Sequence, residues 1–444
     1  MTHRYMDVQD FLDSQKGCRL QWIVVALMFV FCLVDGFDAT VIGFVGPSLK
    51  SEWKLMASDL ALIFGAGMAG LFVGGFCGGP LADRYGRKPV IVAAVAFFGA
   101  TTFGSVLAAN AREMVALRFL TGVGLGAAMP TALTLLAEFA PNSMRARMTA
   151  WAGIGFTLGG ASAGQIAAYL IPAHGWRSVM VTGVVFPFAL CMLLVPLLPE
   201  SLRYLVVHGG REEKIKKVVE RIDPELSLTL TYRGDERPAR AIESAGALFS
   251  ADLRMVTAMI WITYCCSLFL FYLMSSWLPL ILNSSGIDMK HAAKVSSAFL
   301  LAGAVGMLLL GVAMDRFRGE TVLSWAYVLG AVSVSLVGFT ADPIVATSLI
   351  VCFGLAIGGA QSIIPALVAT CYPTSARATG VSWASAIGRV GAFLGSVAGA
   401  VMLDLHLSNA RIFALLAIPA MGAAIALIAL GRIRQMARAI LTTQ

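Results

Sequence analysis

Charge is scarce in this sequence. Asp, Glu, Lys and Arg make up 13% of its 444 residues, against 58% hydrophobic, and the mean hydropathy is +0.81. A water-soluble domain carries about a quarter charged residues, so an ordinary soluble enzyme is excluded. Histidine is thin as well. His3, His174, His208, His291 and His406 all fall in tails or in breaks between apolar runs, which rules out an intramembrane histidine relay. The eight cysteines include no C-x-x-C pair and lie mostly in apolar runs, where they read as small buried hydrophobes rather than metal ligands or disulfides. The short alternating segments of a transmembrane barrel are missing. A cleavable leader is missing too: the first apolar run follows Asp7, Asp10 and Asp13, is too long, and lacks a small-residue cleavage site.

What is present is a series of long apolar runs. Spanning the bilayer core takes roughly 20 apolar residues. Dividing the runs at charged or Pro/Gly-rich breaks predicts an all-α membrane protein with spans near 20–47, 57–79, 89–109, 113–138, 147–171, 177–198, 253–283, 293–313, 321–340, 343–370, 378–403 and 411–431. The net charge of +8 is then a topology signal rather than a nucleic-acid surface. Apart from Arg118 and Arg389 within spans, all Lys and Arg but Lys50, Lys54, Arg112, Arg177, Lys290, Lys294 and Arg411 lie on the side of the termini. Positive-inside bias makes that side, with both termini, cytoplasmic.

One offset, 232 residues, relates the two parts of the chain. Gly79-Pro80-Leu81-Ala82-Asp83-Arg84 becomes Gly311-Val312-Ala313-Met314-Asp315-Arg316. Gly122, Gly126, Pro141, Arg145 and Trp151 map to Gly354, Gly358, Pro373, Arg377 and Trp383. The expected organisation is two six-helix halves, 1–202 and 253–444, joined by a polar cytoplasmic linker, 203–252. Within the linker, 211–222 reads as an amphipathic helix lying on the cytoplasmic surface or the membrane interface, with Ile215, Val218, Val219 and Ile222 on one face. Duplicated halves around a shared site are the logic of a rocking carrier.

A few polar residues stand deep in the spans, where charge is costly and by default functional. Asp35 and Asp38, at i and i+3, share a face of the first span. Asp35 falls ~22 Å from the cytoplasmic end, beyond the midplane. Their repeat mates, Ser267 and Leu270, carry no charge, so the acids belong to one half alone. Two neighbouring carboxylates raise each other's pKa, the property a proton carrier needs; a helix-packing pair closed by an arginine is the alternative. Arg118, ~8 Å from the outer end of the fourth span, is at a matching depth. It is expected to pair with Asp35 or Asp38, as a coupling contact or a fixed bridge. Arg389 lies ~17–20 Å into the eleventh span, where a guanidinium suits a substrate carboxylate or a gating pair with an acid such as Glu138. Glu138, ending the fourth span, fits an inner gate, a proton exit or an interfacial charge. Phe37, Trp151, Tyr264 and Trp383 are candidates for an aromatic slot, or for packing.

These residues carry a resemblance. Gly79-Pro80-Leu81-Ala82-Asp83-Arg84-Tyr85-Gly86-Arg87-Lys88 is similar to the loop 2–3 signature of the major facilitator superfamily, with its weaker copy at 311–316 in the loop 8–9 position. Arg118 with its glycines resembles the helix 4 motif, and Pro199-Glu200-Ser201-Leu202-Arg203-Tyr204 the motif after helix 6. Asp35-Gly36-Phe37-Asp38 and Gly388-Arg389-Val390-Gly391-Ala392 resemble the aromatic acid:proton symporters within that superfamily. The resemblance implies proton coupling at Asp35 and Asp38, carboxylate binding at Arg389, and a cytoplasmic gate including Asp83 and Arg87. Gly79, Arg84, Gly86, Asp315 and Arg316 belong to the same gating signatures. The second copy lacks the Gly-Arg-Lys tail, so an asymmetric gate is expected.

The function expected is uptake of an aromatic carboxylate such as a hydroxybenzoate with protons across a bacterial inner membrane. Arg389, Arg118, Phe37 and Trp383 would contact substrate, while Asp35, Asp38 and Glu138 would carry protons. No cofactor beyond the proton and no metal is expected, and the carrier is expected as a monomer in the lipid bilayer. A carrier of another organic anion, a dicarboxylate or sugar acid, is the alternative, and a transporter-like sensor a more distant one.

Overall fold

The computed structural model describes residues 4–15, 17–208, 212–223, 230–233, 246, 248–250, 253–340, 342–405 and 407–442. Twelve helices are long and apolar enough to cross a membrane. The first six are α2 (Arg19–Trp53), α3 (Ala57–Tyr85), α4 (Arg87–Leu107), α5 (Ala111–Phe139), α6 (Arg145–His174) and α7 (Trp176–Leu197). Around them lie the short helices α1 (Val8–Ser14), α8 (Leu202–Val207) and α9 (Glu212–Glu220). The second six are α10 (Arg254–Ser284), α11 (Met289–Arg316), α12 (Gly319–Val337), α13 (Pro343–Ala369), α14 (Thr374–Asp404) and α15 (Asn409–Thr442). Among the described residues the β-structure is one parallel ladder, in which β1 (Arg4–Asp7) pairs with β2 (Leu230–Arg233).

Each expected span is found, with one informative change. Pro47 does not end the first span. Proline removes one N–H and strains the turn before it, but neighbouring helices can re-satisfy the freed groups inside a membrane protein. Helix α2 therefore runs on to Trp53, past the expected end at 47. Asp35 stands ~24 Å along it, near the middle of the longer helix.

The chain forms two compact units, Met1–Ala39, Ala69–Gly159 and Met180–Arg237 in the first, and Thr40–Met68, Gly160–Val179 and Pro238–Gln444 in the second. They cut across the sequence halves, because the far ends of α2 and α6 and the start of α3 belong to the second unit.

The core of the first unit takes in Phe31, Phe98, Leu135 and Leu194 from the long helices, together with Phe11 and Leu12 of α1. Val218, Val219 and Ile222 join it. The amphipathic helix, expected on the cytoplasmic surface or at the membrane interface, thus packs its apolar face on protein together with α1; a closed apolar pocket removes that face from water. Arg211, at its expected start, is outside the described residues, as are 224–229 and 234–245 of the linker.

In the second unit, the side away from the termini is sealed. A Cβ at Gly43 of α2 would lie 2.5 Å from the Ser275 carbonyl of α10, and Phe64 of α3 meets Trp277 edge-on at 5.1 Å. Ser297 of α11 donates to the Ala161 carbonyl of α6 (2.6 Å), and Gln165 donates to Ser297 (3.1 Å).

Candidate functional site

Asp35 and Asp38 are each 1% exposed, and glycine between them lets α6 approach: a Cβ at Gly36 would fall 1.9 Å from the Phe156 carbonyl oxygen. Arg118 of α5, 4% exposed, resolves the expected pairing in favour of Asp38. Its Nη1 lies 3.3 Å from Asp38 Oδ1 and 3.2 Å from Oδ2, and Nη2 donates to the Asp38 main-chain carbonyl at 3.1 Å. Thr102 of α4 adds a hydrogen bond to Oδ1 at 3.2 Å. Sequence reasoning missed Thr102, since threonine is common in apolar helices and has no repeat signal here. The cluster is incompletely satisfied: Asp38 Oδ2 and Arg118 Nε are buried without hydrogen bonds. Such a charge pair contributes little to stability but is sensitive to loss of either partner.

A second cluster sits at the terminus-side ends of α3, α4 and α5. Arg87 Nη2 lies 3.1 Å from Asp83 Oδ1 and 3.2 Å from Glu138 Oε1. The Glu138 side chain is only 9% exposed, so it is held by Arg87 rather than reaching to water as an interfacial charge. Gly86 precedes α4 with φ +105, a conformation that favours glycine. Glu200 then accepts from the main-chain N–H of Arg87 (2.9 Å) and Lys88 (3.2 Å). A carboxylate here satisfies two otherwise unpaired donors and complements the helix dipole. The motif after α7 was legible in sequence, but its role as the cap of α4 was not. Tyr204 completes the joint, donating to the Arg84 carbonyl (3.0 Å) with its ring beneath the Arg87 guanidinium. A Cβ at Gly79 would meet nothing within 4 Å.

The repeat of this cluster in the second unit is built differently. Asp315 and Arg316 are exposed and make no ion pair with each other among the described residues. Instead Arg434 of α15 pairs with the buried Glu320 of α12, and its Nη2 donates to the Thr370 carbonyl at 2.9 Å. Thr370 is the repeat mate of Glu138, so the cation now arrives from another helix.

Arg389 is half-buried on α14, in the second unit. The aromatic candidates divide. Phe37 is packed in the first unit, 1% exposed and edge-on to Phe186 at 5.0 Å, which leaves its ring no open face for a ligand. Tyr264 is 3% exposed, whereas Trp151 is 55% exposed. Trp383 is 39% exposed and stacks on Trp261, centroids 6.1 Å apart, with Phe249 edge-on to both. No group of three or more His, Cys, Asp or Glu that could hold a metal occurs among the described residues.

Comparison with known proteins places these features in a family context. Residues 27–396 and 260–439 match the profile described as Major Facilitator Superfamily. The chain is 39% identical over 429 residues to the 4-hydroxybenzoate transporter PcaK of Pseudomonas putida, covering 96% of each. It is 38% identical over 430 residues to a gallate transporter of the same species, covering 97% of this chain and 96% of that one. Among solved structures, the inward open xylose transporter XylE from E. coli superposes with a TM-score of 0.71 at 18% identity, over 92% of this chain and 95% of the other.

Proposed function

The chain belongs to the major facilitator superfamily, a family of transporters rather than enzymes, and we propose that it takes up an aromatic carboxylate, such as a hydroxybenzoate, together with protons. The observation that carries the reading is the buried Asp38–Arg118 pair, one turn from Asp35, in a chain whose relatives are named as aromatic-acid transporters. An acid at mid-membrane is stable when paired or protonated, so exchanging one condition for the other links proton binding to movement of α2 against α5. Arg389 offers the planar fork that a carboxylate fits. The six-helix halves, 1–202 and 253–444, rock about the site, with 203–252 as the joint. The Asp83–Arg87–Glu138 cluster, with orphaned Glu138 Oε2 and Arg87 Nε, suits a contact made and broken in each cycle. Both termini face the cytoplasm of a bacterial cell, in its inner membrane, and no cofactor beyond the proton takes part.

Uptake of radiolabelled 4-hydroxybenzoate into proteoliposomes, with and without an inward proton gradient, tests this. The expected result is accumulation with the gradient and simple equilibration without it. Equal uptake under both conditions rejects proton coupling, and no uptake under either rejects the substrate class.

A further inference from the structure

The second unit contains a buried polar chain that the transport cycle above does not use. Tyr327 of α12, 0% exposed, donates to Ser267 Oγ of α10 at 2.5 Å. Ser267 donates in turn to Gln361 Oε1 of α13, also at 2.5 Å. Each hydroxyl has one proton to give. Tyr327 gives its proton to Ser267, and Ser267 gives its own to the amide oxygen, so donation runs one way along the chain. The Gln361 carboxamide is thereby oriented, oxygen toward the serine and Nε2 away from it. Gln361 is half-buried, and Nε2 has no hydrogen-bond partner among the described residues. A donor-only group is presented there by a three-residue brace.

The backbone singles out the same place. Helix α13 contains a π-helical turn at Gly354–Gly358, just before Gln361. Turns of this kind re-aim the residues that follow and are frequent at functional sites. The repeat-related stretch of α5, Gly122–Gly126, is regular α-helix, and the repeat mate of Gln361 is Met129. Ser267 is the mate of Asp35. The second unit has exchanged an acid for a neutral hydrogen-bonding chain.

Depth brings this chain level with Arg389. A Cβ at Gly391 would lie 2.0 Å from the Cys265 carbonyl, and one at Gly388 would meet Leu268 and Tyr264. Helix α14 therefore lies against the turn of α10 that holds Ser267, with Arg389 between the two contacting glycines.

We propose that Gln361 reads the ring substituent of the substrate: its Nε2 donates to a ring hydroxyl oxygen while Arg389 takes the carboxylate, so that hydroxybenzoates are preferred to benzoate. The assignment rests on the transport reading above. A neutral donor suits a neutral oxygen, and the anionic end goes to the guanidinium. One neutral hydrogen bond corresponds to about a fivefold preference.

Binding of benzoate and 4-hydroxybenzoate to the purified full-length protein, measured calorimetrically, is the test. Wild-type protein should bind 4-hydroxybenzoate about fivefold more tightly than benzoate. Gln361→Leu should bring the two affinities together by weakening 4-hydroxybenzoate about fivefold. Ser267→Ala keeps the amide but removes the group that orients it, and should reduce the preference part of the way. A thermal unfolding transition like that of the wild type reports that each variant is folded, and Ser267→Ala carries the test if Gln361→Leu does not fold. Wild-type preference surviving in either variant overturns the assignment, as does a wild type that does not discriminate. Failure of the wild type to bind either ligand overturns the transport reading and this assignment with it.

Discussion

Arg118 grips Asp38 at two points of different kind. Its Nη1 faces the carboxylate at 3.2–3.3 Å, while Nη2 holds the main-chain carbonyl of the same residue at 3.1 Å. Only the first contact depends on charge. An Asp38 side chain without its charge would keep the second contact between α2 and α5.

Asp38→Asn imitates the protonated state permanently. Gradient-driven accumulation of 4-hydroxybenzoate in proteoliposomes should be lost, while exchange of internal for external substrate persists. Arg118→Ala instead leaves a buried carboxylate unpaired, at a cost of about 3–5 kcal/mol. It should lower the melting temperature, and adding Asp38→Asn should restore part of the loss.

Glu138 and Asp83 share one guanidinium nitrogen. Glu138→Gln should remove the more buried of these ion pairs and destabilise the first unit by about 1–3 kcal/mol, as for a hydrogen bond to a charged group. Asp83→Asn touches a 73% exposed partner and should cost less than about 1 kcal/mol. Thermal unfolding of the two variants side by side checks the order.

Gly86→Ala meets two obstacles. Its φ is +105, and the new Cβ would lie 2.4 Å from Glu200 Oε2. Strain of about 1–3 kcal/mol should appear as lower folded yield. Glu200→Gln keeps an acceptor but loses the charge, and should cost about 0.3–1 kcal/mol. A milder effect for glycine than for glutamate would contradict this account of the α4 cap.

The seal away from the termini depends on Gly43. In Gly43→Ala the added carbon would sit 2.5 Å from the Ser275 carbonyl, a main-chain atom that must move. The variant should open this side more often. Labelling of Gln165→Cys by a membrane-impermeant maleimide, with the native cysteines replaced, should rise severalfold; an unchanged rate would show that the seal tolerates the methyl.

Helix α1 is latched to the turn that precedes α6 by Asp13, which accepts from Asn142. Burial raises the pKa of this carboxyl, but the Asn142 main-chain and side-chain donors, Gln9 and Arg145 together bring it below the ordinary 3.8. A lowered carboxyl stabilises the folded form above its unfolded pKa and loses that contribution as pH falls through the folded value. The latch should therefore persist from neutral pH down to 3.8 and weaken only below it. Hydrogen exchange in residues 8–14, corrected for intrinsic rates, should stay protected at pH 7 and pH 5, and lose protection at both in Asp13→Ala.

Much of the fold was legible because apolar length is a local property. Each of the twelve expected spans has its helix, and the difference between the two copies of the 79–88 signature is visible in the missing Gly-Arg-Lys tail. The local signal fell short where neighbours decide the outcome. Pro47 reads as a helix end, yet α2 continues through it. Ile215, Val218, Val219 and Ile222 read as a face for the cytoplasmic surface or the membrane interface, and only the fold shows it packed on protein beside α1. Phe37 reads as a slot candidate or as packing, and only the fold decides for packing: a helix turns its side chains through a full circle within four residues, and its own face meets Phe186.

Hydropathy, the 232-residue repeat and the isolated deep charges are written along the chain, and from them came the membrane class, the duplicated design and the residues worth examining. Tertiary structure alone decided which partner each charge takes: Asp38 for Arg118, Glu138 for Arg87, Glu320 for Arg434. It also assembled Tyr327, Ser267 and Gln361 from three helices. The reason is physical. Burial of an apolar run depends on its own length, whereas an ion pair or hydrogen bond forms within about 3–4 Å, a distance set by how helices far apart in sequence turn and pack.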